Sequence, residues 1–442
     1  MTARRLDVLV DAVRAGELAE QDGIWRFTYA PDWLKRVDGL PLSPHLPLAA
    51  ESIVDGSTQR PVQWFFDNLL PEETLRARLA HEAHVADADA FGLLEAYGGE
   101  SAGALTLLAP GTAMPPGQLA ILDDAQLLDR IRNLPRETLE ARAPKKMSLA
   151  GAQHKLAVVM TDGAFFEPQG AAASTHILKP NHPDAAAYPH SAVNEWFTMA
   201  LAAKLDVDVP AVAHRYVPAA ETPNGHEAIY VVERFDRSRD GEHVRRLHAI
   251  DGCQALNLVR EYKYARMTID SLVAMINATR VRAATRVKIF RWAVFNVLIA
   301  NADAHLKNLS FLVSTQGYEL APHYDLVSTG CFDAGTEPAQ WRGVPMSLAL
   351  PDARTFGEVT HATLVALGEA LQLRRKVASR IAETMRANIG AAADNLLAAY
   401  EARQAPASAA VLRGGETRVL RQIRHVVIAE MERQLVPRET VR

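Results

Sequence analysis

A chain of 442 residues exceeds one ordinary domain, so two or three lobes are expected. With 48% hydrophobic and 23% charged residues it has the material for a sizeable core, which excludes wholesale disorder. A net charge of −4 gives no global pull toward nucleic acid or an anionic membrane, and two cysteines, Cys253 and Cys331, build no disulfide framework.

That cysteine usage fits a reducing cytoplasm. Charges run through Met1 to Glu20, so no signal peptide is expected. The apolar run Ile289 to Ala302 contains Arg291 and Asn296 and falls short of a membrane span. These features predict a cytoplasmic protein without membrane contact.

Along residues 1–110, short extended pieces alternate with turns. Trp25 to Tyr29 alternates like a strand, Pro41, Pro44 and Pro47 punctuate a loop, and Pro61 to Ala80 starts helically. Gly103 to Leu108 reads as a further strand, and the Pro/Gly-rich stretch Pro110 to Gly117 marks a boundary. A helix follows over Asp123 to Asn133. Lys155 to Met160 and Thr175 to Leu178 are strand-like, Asn194 to Leu205 has helical apolar spacing, and Ala228 to Phe235 is a strand. From Asp236 onward the pattern is mainly helical, interrupted by a hairpin at Leu309 to Leu320. The tail Val411 to Val436 reads as a long, Arg-rich amphipathic helix. The expected organisation is a β-rich module (1–110), a mixed α/β lobe (118–237) and a helical lobe (238–442).

The strongest chemical signal is Asn301-Ala-Asp303-Ala-His305-Leu-Lys307-Asn308, between a helix and a strand. Asp-x-x-x-x-Asn is the spacing of a protein-kinase catalytic loop, in which Asp accepts the substrate hydroxyl proton and Asn holds magnesium. Lys307 suits charge developing on a transferred phosphoryl group, and His305 suits loop orientation or a phosphate contact. One hairpin later, Tyr324-Asp325 places a second carboxylate where kinases carry their metal-binding Asp. Two carboxylates and a carboxamide suit oxygen-liganded Mg²⁺. Either half alone is ordinary turn chemistry. Together, in this order, they favour phosphoryl transfer.

Upstream, Ser148-Leu-Ala150-Gly151-Ala152-Gln153-His154-Lys155 precedes a strand and is built of small residues that let backbone amides approach phosphates. It is neither G-x-G-x-x-G nor Walker A, and by itself reads as a turn into a strand. Lys179 ends an apolar strand where a kinase places its phosphate-pairing lysine, and Glu195 opens the next helix as its ion-pair candidate. The backbone of Glu233, Arg234 and Phe235 is positioned like an adenine-binding hinge; an edge strand with surface charges is the plain alternative.

In order, Ser148-Leu-Ala-Gly-Ala-Gln, Thr175-His-Ile-Leu-Lys179, Asn194-Glu-Trp, Val232-Glu-Arg-Phe-Asp-Arg237, Asp303 to Asn308 and Tyr324-Asp325 resemble the motifs of the HipA family of bacterial toxin kinases. Phe65 to Pro71 and Gly103 to Thr106 resemble its N-terminal subdomain, so the likeness spans nearly the whole chain. It implies an α+β, two-lobed protein-kinase-like fold and an ATP-dependent protein serine/threonine kinase using ATP and Mg²⁺. It implies Asp303 as catalytic base with Lys307 beside it, and Asn308 and Asp325 on Mg²⁺. The nucleotide would meet Ala150, Gly151, Ala152, Gln153, His154, Lys155, Lys179, Glu233, Arg234, Phe235, His305 and Tyr324.

The resemblance further implies inhibitory autophosphorylation at Ser148, where a phosphoserine would repel ATP phosphates. Lys145 and Lys146 are expected to hold the ejected phosphate. It implies a helix-turn-helix antitoxin (HipB-like) dimer as partner, with operator DNA reached mainly through that antitoxin. Family targets include aminoacyl-tRNA synthetases, whose phosphorylation arrests growth. Three other readings stand beside this one: a small-molecule or lipid kinase on the same scaffold, a catalytically silent co-repressor, and a metal-dependent hydrolase using Asp303, His305 and Asp325 with His323.

Overall fold

The computed structural model describes residues 3–134, 137–139, 145, 147, 149–151, 153–219, 225–241, 243–333 and 340–437. The chain divides into two compact units, each assembled from separated stretches. The first comprises residues 1–179, 233–263 and 310–321; the second comprises 180–232, 264–309 and 322–442.

In the first unit an antiparallel sheet runs Ile53–Val54, Ile24–Tyr29, Val13–Gln21, Arg4–Val10, Leu105–Leu108. Leu6, Val8, Leu18 and Phe27 are fully buried on its inner face. Short helices Pro61–Asp67, Glu73–Ala83 and Ala90–Tyr97 follow. The opening hairpin turns on Asp11 and Ala12, both at positive φ (46° and 69°), the backbone of a tight primed turn without its customary glycine. That missing glycine hid the hairpin from sequence reading.

A second sheet in this unit pairs Gln118–Leu122 with Ala164–Gln169, Ala164–Gln169 with Leu156–Thr161, and Leu156–Thr161 with His176–Pro180. Here Asp162-Gly163 supplies the positive-φ turn. The stretch expected to turn helical after Asp236 instead forms strands Arg237–Asp240, His243–Arg246 and Ala249–Asp251. Buried Asp236 and Arg246 face inward there, so charge rather than apolar alternation marks the inner face. Ala249–Asp251 then pairs with Ser310–Ser314, which makes the expected hairpin with Gly317–Leu320.

The second unit is mostly helical: Ser191–Lys204, Ile269–Ala278, Arg282–Leu298, His361–Ala370 and Arg375–Ala402. The tail helix Ala410–Gln422 continues through a π segment, Ile423–Ile428, into Ala429–Gln434. Its core holds Phe197, Phe290, Trp292, Phe295 and Trp341, and the strands Val212–Pro218 and His226–Glu233 form an antiparallel pair. Among the described residues, no helix is long and apolar enough to cross a membrane.

Candidate active site

The catalytic-loop sequence emerges from the end of the helix Arg282–Leu298. Ala300 takes a left-handed φ of 48°, its N–H donates to Val297 O at 3.1 Å, and Asn301 N–H donates to Asn296 O at 2.9 Å. These paired bonds are a Schellman ending, with alanine where glycine is usual. A Cβ on Gly330 would lie 2.8 Å from the Ala300 Cβ, so Gly330 makes the room that the alanine needs.

The side chain of Asn301 then does two jobs. Its Nδ2 donates to Asn296 Oδ1 at 2.7 Å, and its Oδ1 accepts the Asp303 N–H at 3.0 Å. Asn308 Nδ2 donates to Asp303 O at 3.3 Å. Asp303 is therefore held by its own backbone at both sides while its carboxylate stays exposed. Around it, His305, Lys307 and Asn308 are buried, and Tyr324 donates its hydroxyl to Lys307 O at 2.6 Å. Tyr264, which no sequence pattern singled out, donates its hydroxyl to Asp303 Oδ1 at 2.7 Å.

Asp325 adopts a φ of 58°, rare for a residue with a side chain. The segment around it is pinned to one helix and the loop after it. Asn194 Nδ2 donates to Ser328 O at 2.9 Å and Asn194 Oδ1 accepts Ser328 N–H at 3.0 Å. Thr198 donates to Leu326 O, and His323 N–H donates to Asp208 O at 2.7 Å. Glu195 is buried on that same helix. The Tyr230 hydroxyl is pushed well above its usual range by burial and by the charges of Glu195 and Asp325, which makes the three electrostatic neighbours.

The donor set fits magnesium. Asn308 commits its amide nitrogen to Asp303 O, so the group it can offer a cation is its side-chain carbonyl oxygen, an oxygen donor like the Asp325 carboxylate. Mg²⁺ typically takes one or two such protein oxygens and completes its shell with phosphates and water. Among the described residues there is no group of three or more His, Cys, Asp or Glu able to hold a metal. His323 is buried and stacked on Trp292 with centroids 5.9 Å apart. Burial pushes it down to about 3, so it is a neutral core histidine.

In the first unit, Gly151 has a φ of 111° and forms a parallel bridge with Pro71. Lys155 Nζ donates to Ala150 O at 2.6 Å across the loop, and a Cβ on Gly151 would lie 2.8 Å from that nitrogen. His154 is buried and Gln153 is half-buried. Ser148, Ala152 and Lys146 lie outside the described residues. Lys179 is buried at the end of its strand and Glu233 is exposed.

Arg234 is committed elsewhere. Its N–H donates to Thr175 O at 2.9 Å, and its guanidinium binds Asp236 through Nε at 2.9 Å and Nη2 at 2.7 Å. It belongs to a buried charge cluster centred on Glu100, which accepts from Arg237 at 2.8 Å and Lys145 at 3.0 Å. Burial alone would raise the Glu100 carboxyl, but Lys145, Arg237, Arg234 and Arg246 outweigh it and hold it well below its usual range. The expectation that Lys145 holds an ejected phosphate is corrected: its ammonium is buried against Glu100 and Ala172 O, because an unpaired buried carboxylate would cost more.

Comparison with known proteins gives this geometry a family. Residues 6–108 match the HipA N-terminal domain and residues 147–393 the HipA-like C-terminal domain. The Sinorhizobium fredii protein Y4mE is 37% identical over 401 residues, covering 88% of this chain and 91% of that one. The serine/threonine-protein kinase toxin HipA of Shewanella oneidensis is 32% identical over 323 residues, covering 69% of this chain and 70% of the toxin. The solved Shewanella oneidensis HipA, in complex with HipB and its operator DNA, has a TM-score of 0.76 at 26% identity. That match covers 98% of this chain and 100% of that one. The chain belongs to the HipA family of kinases.

Proposed function

We propose that this protein is a Mg-ATP-dependent serine/threonine kinase, the toxin of a toxin–antitoxin pair, which phosphorylates a host protein. The observation that carries the reading is the loop 301–308. It presents an exposed Asp303 carboxylate on a backbone fixed by Asn301 and Asn308, one hairpin ahead of the pinned Asp325.

In this reading Asp303 accepts the proton of the acceptor hydroxyl as its oxygen attacks the γ-phosphorus and ADP leaves. Asn308 and Asp325 hold Mg²⁺, which when bound offsets charge on the phosphate oxygens. Lys307 adds fixed positive charge, and Tyr324 secures the Lys307 backbone. Ala150, Gly151, Gln153, His154 and Lys155 contact the nucleotide phosphates, as does Lys179. His305 contributes from the catalytic loop. Glu233 and Phe235 offer the hinge backbone, since the Arg234 N–H already serves Thr175. Ser148 and Ala152 complete the phosphate loop, with Ser148 the autophosphorylation site.

The Shewanella relative is solved with HipB and operator DNA. We assign this chain the same kind of partner, a helix-turn-helix antitoxin dimer that carries most of the DNA contact.

The test is intact mass with phosphosite mapping after incubation with Mg-ATP, beside Asp303→Asn, with each starting mass recorded. Phosphate on wild type at Ser148 and none on the variant supports the reading. ATP binding without transfer to the chain or to any added protein would replace it with a silent co-repressor.

A further inference from the structure

Tyr264 stands 39 residues before Asp303 in sequence, yet its hydroxyl donates to Asp303 Oδ1 at 2.7 Å. Its ring meets His305 edge-on, with centroids 5.0 Å apart and planes at 72°. The backbone that delivers it is anchored. Met267 N–H donates to Tyr264 O at 3.0 Å, and the Met267 side chain is buried. Thr268 then caps the helix Ile269–Ala278, accepting Ser271 N–H at 3.1 Å.

The main chain of Asp303 is already fixed by Asn301 and Asn308. What those bonds leave open is rotation of the carboxylate. A phenol donating to one of its oxygens removes that freedom. An ionised carboxylate has about four acceptor sites, so one donor leaves capacity for an acceptor hydroxyl. Hydrogen bonds to an ionised partner are among the stronger kinds. Tyr264 is itself 43% exposed, so it lies at the surface beside the loop rather than in the core.

We propose that Tyr264 is a positioning residue for the catalytic base, holding Oδ1 so that Oδ2 is turned toward the substrate hydroxyl. This rests on the reading of Asp303 as that base. The role needs the hydroxyl, not the ring.

The test compares wild type, Tyr264→Phe and Asp303→Asn in full-length protein, with Mg-ATP and dephosphorylated casein as the acceptor. Both ADP and phosphoprotein are measured. Tyr264→Phe keeps the ring and its edge contact with His305. The expected result is a fall in kcat of about tenfold or more, the scale of a small misplacement of a reacting group. The KM for ATP and the urea midpoint should stay at wild-type values. A merely structural tyrosine would move the midpoint together with activity, and that pattern overturns the proposal. So does an unchanged kcat when Asp303→Asn is inactive, which sinks Tyr264 alone. If Asp303→Asn turns over like wild type, or wild type forms neither product, the reading of Asp303 falls and takes this inference with it.

Discussion

Asn301 and Asn296 join their side-chain amides in a buried bond of 2.7 Å, and this pair supports the candidate catalytic carboxylate from beneath. Asn296 in turn donates nothing to the loop itself; its Nδ2 goes to Trp292 O at 2.8 Å, inside its own helix. The helix end, the asparagine pair and the Asp303 N–H therefore form one chain of bonds.

Asn301→Ala should break that chain. It leaves Asn296 Oδ1 and the Asp303 N–H without their partner, at about 1–3 kcal/mol for a buried polar group so stranded. Urea denaturation should show that loss. kcat should fall further than stability alone explains, because Asp303 loses its register. Wild-type kcat in a destabilised variant would separate the pair from catalysis.

Asp325 combines a charge with a left-handed backbone, and two substitutions divide the roles. Asparagine tolerates φ of 58° and keeps the shape, so Asp325→Asn should fold as stably as wild type but lose about a hundredfold or more in turnover. Asp325→Ala should lose turnover equally and also about 1 kcal/mol of stability. The check is Mg²⁺-dependent ADP release alongside thermal melting. Retained magnesium dependence in Asp325→Asn would count against its role as a metal ligand.

Acid should weaken the first unit through His248. This histidine is buried, its Nε2 lies 2.8 Å from Leu42 O, and its buried Nδ1 has no hydrogen-bond partner among the described residues. Burial lowers it from 6.5 to about 4. Between those values the unfolded chain binds a proton that the folded chain refuses. The contribution is thus fully present above pH 6.5 and lost as pH falls toward about 4. The slope is about 1.4 kcal/mol per pH unit for one proton. Urea midpoints at pH 7.5 and pH 5 should diverge in wild type and less so in His248→Gln, with only about 1.5 pH units of that interval lying on the slope below 6.5. His323, lowered to about 3, adds the same sign of dependence to the second unit.

Glu100 is the hub of the buried charges in the first unit. Its Oε1 also accepts from Ser174, whose neighbour Thr175 receives the Arg234 N–H. Glu100→Ala strands Lys145 and Arg237, and removal of one partner from a buried pair costs about 3–5 kcal/mol. Glu100→Gln should cost less, since it keeps acceptor capacity while losing charge. Chemical denaturation of the three proteins tests the order.

The sequence alone determined the elements whose signal is local. The strand Leu156–Thr161 and the helices Asp124–Asn133 and Ser191–Lys204 follow from apolar periodicity. The pair formed by Asp303 and Asn308 was legible because its spacing is set by a single tight loop. So was the hairpin that leads to Asp325. Tertiary structure decided what depends on distant partners. Strands Arg237–Asp240 and His243–Arg246 follow charged residues whose inward face is paid in ion pairs with Glu100 and Asp236, which no hydrophobic pattern reveals. Tyr264 reaches Asp303 only because a capped helix and a turn return the chain to the loop. Asn194 grips Ser328 across 134 residues of sequence. A side chain's identity limits the bonds it can make, but which partner it meets is set by the packing of the whole unit.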